Sequence, residues 1–273
     1  MSFDPYVNEA YPPAEIARKA EHLGVVKART DNITLLTLAV LAGAFISLGA
    51  LFFTVVVTAS SLGFGVTRLL GGLSFSLGLI LVVVAGAELF TGNNLIAMAW
   101  ASRLIGTRAV VRNWFIAYLG NVLGCLGTVA LVTLADVASL GGGAVSETAL
   151  QIARAKAALG PGEAFARGIL CNALVCLAVW LAIGGRSVTD KILAVLFPIT
   201  AFVAIGLEHS IANWFFLPFG LALDAHGTVS IFGAVRNIIA VTAGNIVGGT
   251  VLVAGVYWVA YLRSERMRQD LPS

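Results

Sequence analysis

Gly86-Ala-Glu-Leu-Phe-Thr-Gly-Asn93 and Gly206-Leu-Glu-His-Ser-Ile-Ala-Asn213 carry one pattern, G-x-E-x-x-x-x-N, twice in the same chain. Each copy lies inside a run of more than 30 residues, 69–102 and 192–223, that is otherwise almost free of charge. At about 1.5 Å per residue, a helix of that length overshoots a roughly 30 Å hydrocarbon core unless it is steeply tilted or interrupted. A glycine and a carboxylate near the middle of each run favour interruption. Four further apolar runs, 32–67, 113–135, 168–185 and 237–262, bring the expected crossings to six.

Composition agrees. Only 11% of the 273 residues are charged and 59% are hydrophobic, which excludes a soluble enzyme, a nucleic-acid binder and a disordered regulator. Charges mark where the chain leaves the lipid, because each costs roughly 2.5 to 3.5 kcal/mol at a helix centre. Six crossings put both termini on one side. If that side is cytoplasmic, it holds twelve of the seventeen basic residues, leaving Arg68, Arg154, Lys156, Arg167 and Arg236 outside; the bias fits the positive-inside rule. The reading divides the chain into a cytoplasmic N-terminal segment (1–31), a six-helix transmembrane unit (32–262) and a cytoplasmic tail (263–273). In the first, Ile16, Ala20, Leu23 and Val26 fall at helical spacing over Pro13–Arg29, predicting an amphipathic helix on the membrane surface. The long loop 136–167 is expected to form a partly helical cap.

The third and sixth runs repeat a second pattern, Gly120-Asn-Val-Leu-Gly124 and Gly244-Asn-Ile-Val-Gly248. Three spans per half would set the second copy upside down relative to the first. Inverted repeats with discontinuous helices at matching positions point to a solute path near the bilayer midplane. The same glycines also suit close helix packing. An interruption frees backbone N–H and C=O groups that lipid cannot satisfy, so Glu88 and Glu208, with Asn93 and Asn213, read as structural braces, the carboxylates accepting from the freed N–H groups. His209 is an ionisable group inside a span and reads as functional; His22 and His226 read as solvated. Cys125, Cys171 and Cys176 have no ligand-like spacing and read as packing residues, so neither a metal nor a cofactor is expected.

With Ala85-Gly-Ala-Glu-Leu-Phe-Thr-Gly-Asn93, Gly206-Leu-Glu-His-Ser-Ile-Ala-Asn213, Gly71-Gly-Leu-Ser-Phe-Ser-Leu-Gly-Leu-Ile80, Gly168-Ile-Leu-Cys-Asn-Ala-Leu-Val-Cys-Leu-Ala-Val-Trp180 and Gly244-Asn-Ile-Val-Gly-Gly249, the chain resembles the formate/nitrite transporter family over about 12–263, most closely its formate-channel branch. The resemblance implies an all-α, aquaporin-like fold of six transmembrane helices in two inverted three-helix repeats, the second and fifth broken. It further implies homopentamers in a bacterial inner membrane, one pore per protomer, and a small anion, formate or nitrite, moving with protons. His209 would be the central pore histidine beside Thr91, Asn172 a second polar contact, and Lys156 the vestibule cation that draws anions in. Leu79, Leu89 and Phe90 would form the inner constriction; Phe75, Val175 and Phe202 the outer one. The chain departs from formate channels at Gly92-Asn93-Asn94, where small hydroxyl residues are common.

The implied mechanism is physical. A dry slit disfavours the anion over its neutral acid and raises a carboxylate's pKa, so a proton supplied by His209, or by water through it, would couple flux to acidity. Simple anion passage with His209 as a neutral hydrogen-bond donor is the alternative, and nitrite, hydrosulfide or acetate are alternative solutes. A neutral-solute aquaporin-like channel would carry paired Asn-Pro-Ala turns, and a membrane enzyme an HExxH, CxxC or similar centre; the chain has neither.

Overall fold

The computed structural model describes residues 10–264. Residues 1–9, and residues 265–273 of the expected tail with Arg266 and Arg268, lie outside the described residues. Ten α-helices follow one another among these: α1 (Pro13–Arg29), α2 (Asn32–Val57), α3 (Phe64–Leu81), α4 (Ala97–Ala101), α5 (Thr107–Leu134), α6 (Ala144–Ala158), α7 (Pro161–Gly184), α8 (Val188–Ile205), α9 (Ser210–Leu223) and α10 (Ile231–Val247). No strand occurs among the described residues. Helix α3 runs on through a wider π turn, Val82–Gly86, and α10 through two, ending at Leu262. With those extensions, α2, α3, α5, α7, α8 and α10 are long and apolar enough to cross a membrane.

Local chemistry sets the helix ends. Asp31 caps α2 by accepting from the N–H groups of Ile33 and Thr34, both at 3.0 Å. Pro161 opens α7 where no N–H is needed, and Ser187 with Asp190 forms a capping box on α8.

Helix α2 packs on α5 and α3, and α7 on α10 and α8. Glycines bring these backbones together. A Cβ at Gly43 or Gly124 would strike the carbonyls of Asn121 or Val40 on the facing helix, and one at Gly244 or Gly248 those of Phe165 or Ile169.

The chain leaves helical conformation between α3 and α4 and between α8 and α9. Gly86 (φ +86°) and Gly206 (φ +84°) make the two exits in the left-handed region that favours glycine. Several boundaries differ from the sequence reading: α3 begins at Phe64, α5 at Thr107, α7 at Pro161, α8 at Val188 and α10 at Ile231, so Arg68, Arg108, Arg112, Arg167, Lys191 and Arg236 sit on helices instead of in loops.

Helix α1 lies against the bundle. Ile16, Ala17, Ala20 and Gly24 are buried, the first three among Leu95, Met98, Trp180 and Leu262. Of the apolar stripe expected from spacing, Leu23 and Val26 face outward; small residues at four-residue spacing form the contact face because only they permit close approach. Helix α6 occupies the long loop and buries Val145, Ala149, Ala153 and Ala157.

Candidate functional site

The two interruptions meet at His209 and Thr91, both buried. His209 Nδ1 accepts from the Ala212 N–H at 3.1 Å, capping α9. A backbone N–H only donates, so the neutral ring carries its proton on Nε2, which lies 2.9 Å from Thr91 Oγ1. Nε2–H therefore donates to Thr91, leaving the threonine hydroxyl proton for another acceptor.

Asparagines satisfy the freed backbone. Asn121 Oδ1 accepts from the Phe90 N–H (2.9 Å), while its Nδ2 donates to the carbonyls of Ala39 (2.7 Å) and Glu88 (2.9 Å). Asn245 does the same for Ser210 N–H (2.8 Å), Gly168 O (2.8 Å) and Glu208 O (3.0 Å). This corrects the assignment of that task to the carboxylates. An amide carries both donor and acceptor, which an interrupted helix requires, and a carboxylate only accepts.

Glu88 and Glu208 instead bind side chains. Glu88 accepts from Lys27 Nζ on α1 at 2.6 Å and from Asn93 Nδ2 at 2.7 Å; Asn93 also donates to Asn113, whose Nδ2 returns to the Lys27 carbonyl. Glu208 accepts from Lys156 Nζ on α6 at 2.9 Å and from Asn213 Nδ2 at 2.7 Å; Asn213 also donates to Asn237, whose Nδ2 returns to the Lys156 carbonyl. Next to each asparagine an arginine caps a helix end: Arg112 bonds Ala28 O and Thr30 O, and Arg236 bonds Ala157 O and Leu159 O. Lys156 is thus a paired cation.

The other expected residues divide between two places. Phe75 and Phe202 meet edge to face at 5.5 Å, Phe202 stacks on His209 at 6.0 Å, and all three line a cavity of about 370 Å³ with Lys156, Glu208 and Asn213. Leu79, Leu89, Phe90 and Val175 are buried in the central core and do not line that cavity; Phe90 packs on Tyr118 at 5.0 Å and Trp114 at 6.3 Å. Asn172 Nδ2 lies within reach of Asn245 O (2.7 Å), Asn94 Oδ1 (2.8 Å) and Thr91 O (3.3 Å), while its buried Oδ1 has no partner among the described residues. Among the described residues no three His, Cys, Asp or Glu side chains group to hold a metal.

Sequence reasoning missed Lys27, Asn113 and Asn237, and took Asn121 and Asn245 for packing and repeat markers only. A signal was present: Arg112-Asn113 and Arg236-Asn237 each precede the repeated Gly-Asn by the same spacing, and Lys27-Ala28 matches Lys156-Ala157.

Residues 14–259 match the model of a family described as formate/nitrite transporter. The formate channel FocA of Escherichia coli (strain K12) is 40% identical over 92% of this chain and 94% of its own length. A solved pentameric formate channel with formate bound is 39% identical and superposes with a TM-score of 0.79 over 85% of this chain and 98% of that one. A second solved structure, an FNT family ion channel, is 28% identical with a TM-score of 0.82 over 90% and 98%.

Proposed function

Because the chain belongs to the formate/nitrite transporter family, we propose that it is a membrane channel for small monovalent anions whose principal solute is formate. The observation that carries this reading is the Thr91–His209 contact at 2.9 Å between the two helix interruptions, in a chain similar to named formate channels. The halves α1–α5 and α6–α10 are inverted repeats, and the path runs from the cavity beside α6, past Phe75 and Phe202, to Thr91 and His209, then between Leu79, Leu89 and Phe90 to the α1 side. Asn172 offers along that path an Oδ1 without a partner among the described residues, and Val175 narrows it. The excess of lysine and arginine supports α1 and both termini in the cytoplasm of a bacterial inner membrane, and the pentameric relative supports five protomers, each with its own pore.

The chemistry follows from proton positions. A formate oxygen at the centre accepts from Thr91 Oγ–H, whose oxygen is itself held by His209 Nε2–H. Leaving bulk water disfavours the ionised carboxylate, so the solute crosses the dry segment more readily with a proton, and flux rises when the α6 side is acidic, in either direction the gradients dictate. The Ala212 N–H on Nδ1 favours His209 as a neutral hydrogen-bond donor, with the proton delivered through water, since an imidazolium would displace that cap.

Proteoliposome uptake of labelled formate at external pH of about 5 and about 7.5, with nitrite and glycerol as competitors, tests the reading. Formate entry that rises in acid and resists both competitors supports it. Faster nitrite entry reassigns the solute, and glycerol entry without formate entry overturns the anion channel.

A further inference from the structure

Three cations line the cavity beside α6: Arg68, Lys156 and Arg167. Two have carboxylate partners, Lys156 with Glu208 at 2.9 Å and Arg167 with Glu163 at 2.6 Å. Arg68, half-buried on α3, has no carboxylate partner among the described residues. Its Nε and Nη2 donate to the carbonyls of Ala204 (2.9 Å) and Val203 (2.7 Å) at the C-terminal end of α8.

Those two bonds alone describe a helix C-cap, which a cation near the last carbonyls of a helix commonly makes. They leave Nη1 and the second Nη2–H of Arg68 without a bond among the described residues. Arg167 Nη1 reaches the same turn from α7, donating to Gly206 O at 3.1 Å. A Cβ built on Gly206 would lie 2.9 Å from Arg68 Nη2 and 3.9 Å from Arg167 Nη1, so both guanidinium groups converge on one spot, two residues before Glu208. The planar donors of an arginine fit a carboxylate or a similar planar oxyanion better than a point ammonium does.

We infer that Arg68, assisted by Arg167, is the residue that recruits the solute: a docking point for one small planar monovalent anion at the mouth, ahead of Phe75, Phe202 and His209. Lys156, neutralised by Glu208, holds α6 on the bundle and contributes less to capture. The inference rests on the anion-channel reading and names the residue that sets apparent affinity within it.

Full-length wild type, Arg68→Gln and Arg68→Lys are reconstituted in liposomes, and formate uptake is measured from about 20 to about 300 mM salt, across which screening collapses long-range attraction. In wild type the half-saturating formate concentration rises with salt. Arg68→Gln raises it about fivefold at low salt, flattens the salt dependence, and lowers the maximal rate much less; Arg68→Lys keeps most of the salt dependence, which a purely structural cap would not distinguish. In parallel, phenylglyoxal modification of Arg68 in the wild-type protein is followed by peptide mass spectrometry. Formate slows it about threefold and formamide, the neutral isostere, does not. An unchanged half-saturation and salt dependence in Arg68→Gln, or equal protection by formate and formamide, overturns the inference. A wild type that protects Arg68 yet conducts no formate overturns the channel reading and leaves the docking site standing. Should Arg68→Gln fail to assemble, the salt dependence of Arg68→Lys and the protection experiment decide.

Discussion

Comparing α1–α5 with α6–α10 separates scaffold from site. Both halves hold an interrupted helix with an asparagine that replaces the missing backbone partners, a lysine on a short helix that neutralises the buried carboxylate, and an arginine that closes that short helix. In the register set by Glu88 and Glu208, however, His209 stands opposite Leu89 and Thr91 opposite Ile211. In the register set by Ala39 and Gly168, Asn172 stands opposite Gly43, and in that of Asn121 and Asn245, Gly249 stands opposite Cys125. The last two differences compensate in volume. Cys125 lies over Gly43 in one half, its Sγ 3.4 Å from the glycine carbonyl, and Gly249 leaves room for Asn172 in the other. What the two halves share ties helices to one another, and what differs gathers where Thr91 meets His209.

The largest expected effects test the duplicated part. Asn121→Leu and Asn245→Leu each strand three backbone groups, at about 1 to 3 kcal/mol apiece, so both proteins are expected to lose the assembled form on size-exclusion chromatography. Tolerance of one and loss of the other would show that the shared bonding pattern is not shared energetically.

The carboxylates come next, and here the halves should differ. The side chains of Lys156 and Glu208 are 14% and 5% exposed, those of Lys27 and Glu88 31% and 13%. Removing one charge from the drier pair costs about 3 kcal/mol, and from the wetter pair about 1 to 2 kcal/mol after solvent screening. Glu208→Gln should therefore lower the thermal midpoint more than Glu88→Gln, and the reverse order would break the comparison.

A volume swap sharpens it further. Gly249→Cys forces a side chain against Asn172 and Asn94 and should cost about 1 to 3 kcal/mol by overpacking. Adding Asn172→Gly restores the arrangement of the other half and should recover most of that stability without recovering formate uptake.

The smallest effect concerns a tie found beside α6. Asp224 accepts from the Val229 N–H at 2.6 Å and from Thr228, which also holds Arg154 of α6. The Val229 bond, ahead of Thr228, holds the Asp224 carboxyl down to about 2 from its ordinary 3.8. A carboxyl lowered on folding adds stability above its unfolded value and loses it as pH falls through the folded one. Hydrogen exchange in α6, taken relative to the intrinsic rate at each pH, should therefore accelerate between about pH 4 and about pH 2, and Asp224→Asn should flatten the response.

Much of this was legible in the sequence. Charge-free runs gave the spans, because lipid excludes charge over a fixed length, and two glycine-carboxylate patterns marked where the chain turns at Gly86 and Gly206. Partners drawn from distant helices were not legible: nothing along the chain brings Lys27 to Glu88 or Arg68 to the end of α8. The carboxylates were misassigned because the need for backbone partners was recognised but their donor–acceptor balance was not followed through to an amide. Of the residues named from family resemblance, Phe75, Phe202 and His209 line one cavity, whereas Leu79, Leu89, Phe90 and Val175 lie in the core beyond it.

The central claim is that scaffold and conduction separate at His209. The most direct test is His209→Asn, which keeps an acceptor for the Ala212 N–H and so the start of α9, while removing the ring from Thr91. Formate uptake into proteoliposomes and the thermal midpoint would be measured on the same preparation. The account predicts uptake at least about tenfold lower, a rise of about 1.4 kcal/mol in the barrier, with its acid stimulation altered and the midpoint within a few degrees of wild type. Unchanged uptake, or uptake that falls only in step with the folded fraction, would contradict it.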